Sequence, residues 1–347
     1  MTSDVVTRIQ GKVGRIRLSR PKQLHALTRE MCSAMIAALV EWRTDPAVQA
    51  VLLDHAEGRG FCAGGDVVML ARSGAGDGKE ARAFFHEEYR LNHLLFTYAK
   101  PTVAFMDGIT MGGGVGISQP CRFRVATENS RFAMPETAIG LFPDVGGGWY
   151  LSRLPGRVGQ FLALTGARLE GAECVALGLA THYVQSFGLE DLKARIAAEP
   201  ERIEAFLEEH SAPPPPARIA ANRERIDRLF GADDYETILE ALRSDGSDWA
   251  LKELETLACK SPQACKVTLR LLYDGGLMQD FADEMRQEYA VATRVVQRPD
   301  FVEGVRALLV DKDNRPLWDP PRPEDVTDRM IDRIFAPMPP GEEWTPL

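Results

Sequence analysis

The chain has no apolar run long enough to span a bilayer, no surplus of positive charge and no paired spacing among its cysteines. Each absence removes a class of function. Lys and Arg number 41 against 50 Asp and Glu, a formal net charge of -9. A broad basic face for nucleic acid or anionic lipid is therefore excluded, and neither nucleic acid nor membrane is expected as a partner. The six cysteines, Cys32, Cys62, Cys121, Cys174, Cys259 and Cys265, lack C-x-x-C spacing, which argues against a zinc site and a disulfide framework. His25, His55, His86, His93, His182 and His210 show no metal-ligand spacing either, so no metal is expected. The start, Met1-Thr2-Ser3-Asp4-Val5-Val6, has neither the apolar core of a secretory signal nor the Arg-rich character of a transit peptide, and a cytoplasmic, reducing setting is expected. Two catalytic signatures are also missing. Gly114-Val115-Gly116 does not complete G-x-G-x-x-G, and Ser118 in Gly116-Ile117-Ser118-Gln119-Pro120 is not in a G-x-S-x-G elbow.

What is present points to an α/β enzyme. A chain of 347 residues can bury a full core and carry a second, smaller unit. Val13-Gly14-Arg15-Ile16-Arg17-Leu18 alternates as a half-buried strand does, Met31, Met35, Leu39 and Trp42 form one stripe of a helix from Thr28 to Trp42, and Ala50-Val51-Leu52-Leu53 reads as a buried strand. A second cycle follows: a glycine loop from Gly58 to Asp66, a helix near Ala81 to Tyr98, the strand Thr102–Met106, and a glycine loop from Gly112 to Gly116. Strands alternating with helices favour an α/β fold. Strand signals fade after Val184, the run Pro213 to Pro216 interrupts the pattern, and from Ala217 the chain reads as helical. The expected division is a catalytic core over 1–200 and a helical extension over 201–347, ending in a short helix around Val326 to Phe335, that covers the site or mediates assembly into a homo-oligomer.

The segment Phe132-Ala133-Met134-Pro135-Glu136 through Pro143-Asp144-Val145-Gly146-Gly147-Gly148 sets two carboxylates amid apolar and glycine residues. Poorly hydrated carboxylates are stronger bases and nucleophiles than solvated ones. The same residues read equally well as a helix start at Pro135-Glu136 and a cap at Asp144. Upstream, Gly60-Phe61-Cys62-Ala63-Gly64-Gly65-Asp66 and Met111-Gly112-Gly113-Gly114-Val115-Gly116 each follow a strand and precede an apolar stretch. Two such ends, if they converge, form an oxyanion hole. Asp66 reads as a helix cap, Cys62 as a small buried thiol, and Glu88, on a helix face with Phe84, Leu91 and Leu95, as a salt-bridge partner.

The order and spacing of these loops resemble the crotonase (enoyl-CoA hydratase/isomerase) superfamily, from about Val13 to Val184. The resemblance implies a spiral of ββα units, an acyl-CoA thioester as substrate with coenzyme A part of that substrate and no separate cofactor, and oxyanion-hole amides from Ala63 and Gly113. Hydratases of the superfamily use two glutamates; here Glu136 matches one position and Gly116 the other, so that pair is broken. The run Gly108-Ile109-Thr110-Met111 to Asp144-Val145-Gly146-Gly147, with Asp300 to Ala307, Asp311-Lys312-Asp313 and Pro316-Leu317-Trp318, is similar to the 3-hydroxyisobutyryl-CoA hydrolase branch. That likeness implies hydrolysis of a short 3-hydroxyacyl-CoA, as in valine breakdown, with Glu136 and Asp144 catalytic and Glu88, Gly113, Glu136 and Asp144 at the substrate. It also implies that the CoA path follows the turn after Arg20-Pro21-Lys22 and the loop Gly58 to Ala63. Lys22 and Arg59 read on their own as solvated charges, and along that path as phosphate contacts.

Overall fold

Apolar and β-branched stretches bounded by glycine and proline turns make ten strands in the computed structural model, which describes residues 4–347. They are β1 (Val5–Gln10), β2 (Val13–Leu18), β3 (Ala50–His55), β4 (Gly60–Cys62), β5 (Thr102–Met106), β6 (Ile109–Met111), β7 (Phe123–Ala126), β8 (Arg131–Ala133), β9 (Leu169–Glu170) and β10 (His182–Tyr183). They form a six-stranded sheet ordered β1-β2-β3-β5-β7-β10 and a four-stranded sheet ordered β4-β6-β8-β9. Only β1–β2 and β8–β9 pair antiparallel. In each successive unit the first strand (β3, β5, β7) joins the large sheet and the second (β4, β6, β8) joins the small one, and helices then follow. This is the α/β spiral of ββα units that the motifs imply.

The differences from the sequence reading concern short or unusual strands. β1 is not anticipated by the sequence patterns, and β4 lies inside what reads as a glycine loop. Three residues cannot display a two-residue alternation, so periodicity is silent there. The strand Val13–Leu18 is found as expected, but its polar side is not solvated: Arg15 is buried. The large sheet is covered on that face by the helices Leu189–Ala198 and Ile203–His210, whose Leu192, Ile196 and Phe206 pack on Val13, Leu52, Val103 and Phe105.

At the edge of that second core, Arg15 and Asp54 are hydrogen-bonded and wholly enclosed, with Arg17 at 3.0 Å and Lys193 at 3.1 Å from the same carboxylate. Burial alone would raise the Asp54 pKa, yet the hydrogen bonds from Arg17 and Arg15 and the charge of Lys193 hold it well below the usual range.

On the other face, one apolar cluster runs from Ile16 through Phe84, Phe85 and Tyr89 to Leu271, Phe281, Met285 and Trp344. Each such side chain, fully buried, contributes about 1.5–3 kcal/mol. The helices beyond residue 200 thus share a core with the strands before it. Phe281–Val295 lies against the helix Lys79–Phe96, and Pro262–Leu277 against the short helix Gly147–Ser152.

Replacing Asp54 with Ala strands three cations around an empty site. The variant is expected to lose about 3–5 kcal/mol of stability at pH 7. Because the folded pKa is depressed, the wild-type contribution is complete above the unfolded value of about 3.9 and fades as pH falls below it. Urea unfolding at pH 7 and pH 3.5 checks this, and equal midpoints for the two proteins at pH 7 would refute it.

Candidate active site

The strands β4, β6 and β8 are neighbours in the small sheet and run parallel. Their carboxyl ends therefore share one edge, and the segments leaving them, Ala63-Gly64-Gly65, Gly112-Gly113 and Met134-Pro135-Glu136, must meet. Ligands collect at such edges in parallel sheets because the loops and free amides gather there. A cavity of about 330 Å³ opens at this edge. Its walls include Ala63, Gly113, Glu88, Glu136 and Asp144, so the five residues singled out in the sequence come together. Phe84, Phe85, Val67, Leu70 and Leu141 supply apolar wall, and Leu308 and Leu309 close it from the C-terminal region.

One assignment is corrected by the backbone. The Ala63 amide donates to the carbonyl of Leu24 at 3.0 Å, so it is already used and cannot also face a substrate oxygen. Leu27 next to this loop takes the carbonyl of Gly64 and the amide of Asp66. Along an extended segment successive residues point their polar groups to opposite sides. The Gly65 N–H between these two contacts therefore faces away from Leu27, and Gly65 lines the cavity. Gly113 is the first residue of the helix Gly113–Ser118, so its amide has no partner within the helix. The two loops are in contact: a methyl group on Gly113 would lie 3.3 Å from the Gly64 carbonyl carbon. The pair of available amides is accordingly Gly65 and Gly113. The Gly-Gly sequence signals the loop but not which of its amides is spent on Leu24.

Glycine at 112 and 113 lets two acids lie close to the backbone. Gly112 has φ +46°, and a methyl there would sit 3.1 Å from Glu136 Oε1, while one on Gly113 would sit 2.5 Å from Glu88 Oε1. Two carboxyl groups thus abut the same backbone step from different sides. Glu88, on the helix Lys79–Phe96, is buried with Oε1 unpartnered, and the ion pair that its sequence position suggests is not formed. Glu136 begins the single 3-10 turn Glu136–Ile139, with Oε2 unpartnered. Asp144 does not cap the following helix through its side chain, as the structural reading of the sequence would have it. It accepts instead a 2.7 Å hydrogen bond from the Tyr89 hydroxyl.

Burial dominates the electrostatics of all three acids. It pushes Glu136 and Glu88 well above the ordinary glutamate range, and the nearby charge of Asp144 adds to both. Asp144 is pushed up to about 6, burial outweighing the hydrogen bond from Tyr89. The hydrogen bond from Tyr89 favours the ionised form of Asp144, while burial and the nearby Asp144 charge disfavour ionisation of Glu88 and Glu136.

The remaining residues weighed in the sequence fall outside the chemistry. Cys62 is enclosed, its Sγ 3.7 Å from the Gly64 carbonyl, and burial pushes its thiol up to about 12, so it is no thiolate nucleophile. The Ser118 hydroxyl donates to the carbonyl of Gly114 in its own helix. Asp66 caps the helix Val67–Gly74 through the Met69 amide and pairs with Arg20 at 3.0 Å. No histidine lines the cavity. Lys22 and Arg59 are exposed and do not line it, although Gly58 and Pro21 beside them are adjacent. Tyr89, Leu308 and Leu309 are site residues that sequence reasoning missed. Tyr89 had one available signal, its place directly after Glu88; the two leucines had none, since only tertiary packing carries them to the cavity.

Gly116 is closed to any side chain. A methyl there would lie 2.6 Å from Val145 Cβ and 2.8 Å from the buried amide of Asn92. Gly116→Glu is therefore expected to cost more than the roughly 1–3 kcal/mol of ordinary overpacking and to give no hydration of crotonyl-CoA. A soluble variant that hydrates crotonyl-CoA would refute the packing argument.

Comparison with known proteins agrees with this geometry. A family model described as enoyl-CoA hydratase/isomerase matches residues 13–335. The mitochondrial 3-hydroxyisobutyryl-CoA hydrolase of Xenopus tropicalis is 44% identical over 337 residues, covering 94% of this chain and 87% of that protein. Among solved structures, a carnitinyl-CoA dehydratase from Mycobacterium thermoresistibile superposes with a TM-score of 0.94 at 40% identity, covering 99% of both chains. An enoyl-CoA hydratase from Rhodobacter sphaeroides 2.4.1 superposes with a TM-score of 0.92 at 38% identity, covering 99% of this chain and 100% of the other. With its three loops meeting at one sheet edge and a family match spanning residues 13–335, the chain belongs to the enoyl-CoA hydratase/isomerase family.

Proposed function

We propose that the chain is a thioester hydrolase that cleaves 3-hydroxyisobutyryl-CoA, or a similar short 3-hydroxyacyl-CoA, to the free hydroxy acid and CoA, a step of valine breakdown. The observation that carries this reading is the closure of the second hydratase position at Gly116, which leaves Glu136 and Glu88 as the buried glutamates beside the available amides. Adding water across a double bond needs two groups, one to activate water and one to deliver a proton to carbon. Thioester cleavage needs one nucleophile or base and an oxyanion hole, because a thiolate leaves readily. The name of the Xenopus relative, a 3-hydroxyisobutyryl-CoA hydrolase, supports the same reaction. The names of the two solved structures favour hydration or dehydration, and that alternative is one arm of the test.

In this mechanism the thioester oxygen sits on the amides of Gly65 and Gly113. Charge develops there only as the carbonyl is attacked, and loss of one such donor costs roughly 3 kcal/mol of transition-state stabilisation. Ionised Glu136 attacks the carbonyl carbon to give a mixed anhydride, or removes a proton from the water that attacks it. By the first route water then cleaves the anhydride and restores Glu136; by either route the C–S bond breaks, one water is consumed in forming the free acid, and the sulfur takes up a proton. Asp144, fixed by Tyr89, accepts a hydrogen bond from the substrate 3-hydroxyl and orients the acyl group. Glu88, beside Gly113, borders the same carbonyl. Coenzyme A enters as part of the substrate, and no separate cofactor takes part. The six free cysteines suit a reducing compartment, whether the cytoplasm or a mitochondrion, as in the name of the Xenopus relative.

The purified protein should release thiol from 3-hydroxyisobutyryl-CoA and leave the double bond of crotonyl-CoA intact. Hydration of crotonyl-CoA alone would replace this reading with a hydratase, and tight binding without turnover of either would replace it with a non-catalytic acyl-CoA-binding protein. Glu136→Gln should lower kcat by at least about a thousandfold, the scale lost with a group that acts in the transition state, while acyl-CoA binding persists; retained turnover would remove Glu136 from its role.

The pH profile has a definite sign. Glu136 acts ionised and burial raises its pKa, so kcat/KM should climb with pH through a value above the ordinary glutamate pKa of about 4.3. An acid limb at the ordinary value would show that the carboxyl is solvated.

A further inference from the structure

We propose that Glu288, on the C-terminal helix Phe281–Val295, is a positioning residue that sets the direction of Asp144 by holding the glycine backbone that follows it. The inference rests on the reading that Asp144 binds the substrate 3-hydroxyl.

Glu288 is fully buried, yet it has no cation partner. Its Oε2 accepts the Gly146 N–H at 2.8 Å and its Oε1 the Gly148 N–H at 3.4 Å, while the Gly147 N–H between them donates to the carbonyl of Asp144 at 2.8 Å. Three successive amides are thereby turned inward on one carboxyl group and one carbonyl.

The backbone so held is strained. Val145 has φ +54° and Gly146 φ +90°, and a β-branched residue in the left-handed region persists only where its surroundings enforce it. Val145 also occupies the space beside Gly116, where any side chain would strike it. Release of the amides would let Val145 relax towards an extended conformation and swing Asp144, the preceding residue, away from Tyr89 and the cavity.

Glu284, one turn earlier on the same helix, completes the clamp. A methyl group on Gly148 would lie 2.0 Å from Glu284 Oε1, so with glycine there the Glu284 carboxyl group approaches the backbone closely. Both oxygens of Glu284 lack a hydrogen-bond donor, and its carboxyl lies beside that of Glu288. Burial raises both acids above the ordinary range; the charge of Glu284 raises Glu288 further, while the adjacent Glu288 carboxyl group lowers Glu284. What Glu288 offers the backbone is an acceptor oxygen for the Gly146 N–H at 2.8 Å, a role that a neutral carbonyl oxygen in the same place can fill.

That distinction supplies the test. Glu288→Asp keeps the charge and withdraws the acceptor by one methylene; Glu288→Gln removes the charge and keeps a carbonyl oxygen for Gly146. The readout is the ratio of kcat/KM for 3-hydroxyisobutyryl-CoA to that for isobutyryl-CoA, which lacks the hydroxyl, with Asp144→Asn measured in parallel. Asp144→Asn and Glu288→Asp should each reduce the ratio by about tenfold, the equivalent of one well-made hydrogen bond to a charged group, with isobutyryl-CoA turnover changed far less. Glu288→Gln should keep the ratio within about threefold of the wild-type value. Equal losses on both substrates, an unchanged ratio in Glu288→Asp, or a Gln variant as impaired as the Asp variant would overturn the positioning role. An unchanged ratio in Asp144→Asn would overturn the underlying reading of Asp144, and with it this proposal.

Discussion

The parallel pairing of three very short strands, β4, β6 and β8, is the constraint on which the site depends. Because the strands are adjacent and point the same way, three loops well separated in sequence are delivered to one edge. No loop holds a complete site. The loop after β4 brings an amide at Gly65, the one after β6 an amide at Gly113, and the one after β8 the carboxyl group of Glu136. A change of strand order would leave every local motif intact and destroy the constellation.

At that edge the limiting resource is space beside buried acid. Glycine occurs where a side chain would meet a carboxyl group: Gly112 against Glu136, Gly113 against Glu88, Gly148 against Glu284. The glycines admit backbone amides close to acidic groups, and burial raises the pKa of Glu88 and Glu136. Gly116 departs from this pattern. The space beside it is taken by Val145 and Asn92, and that closure leaves no room for an acidic side chain at this position.

The C-terminal helices are part of the site's construction. Leu308 and Leu309 complete the wall of the cavity, and Glu288 reaches the backbone after Asp144 from the far side. A helix that shares its apolar face with the helix carrying Glu88 and Tyr89 is well placed to couple the two acidic segments, since packed helices move little relative to one another.

Much of this was legible in the residues. Alternation and apolar stripes located β2, β3, β5 and the helix Arg29–Thr44, while the motifs around Ala63, Gly113, Glu136 and Asp144 named the family and four residues of the cavity. Glu88 was visible as a carboxylate on an apolar stripe. What the residues did not disclose was pairwise. Whether the Ala63 amide is free depends on Leu24, the partner of Asp144 is Tyr89, Arg15 is buried because a helix beyond residue 188 covers it, and Glu288 meets Gly146 across 142 residues of sequence. Sequence determined the chemistry on offer, because the kinds of side chain and their local spacing are set residue by residue. Tertiary structure alone decided which amide and which acid are available for catalysis, because hydrogen bonding and desolvation belong to contacts between segments and to no segment by itself.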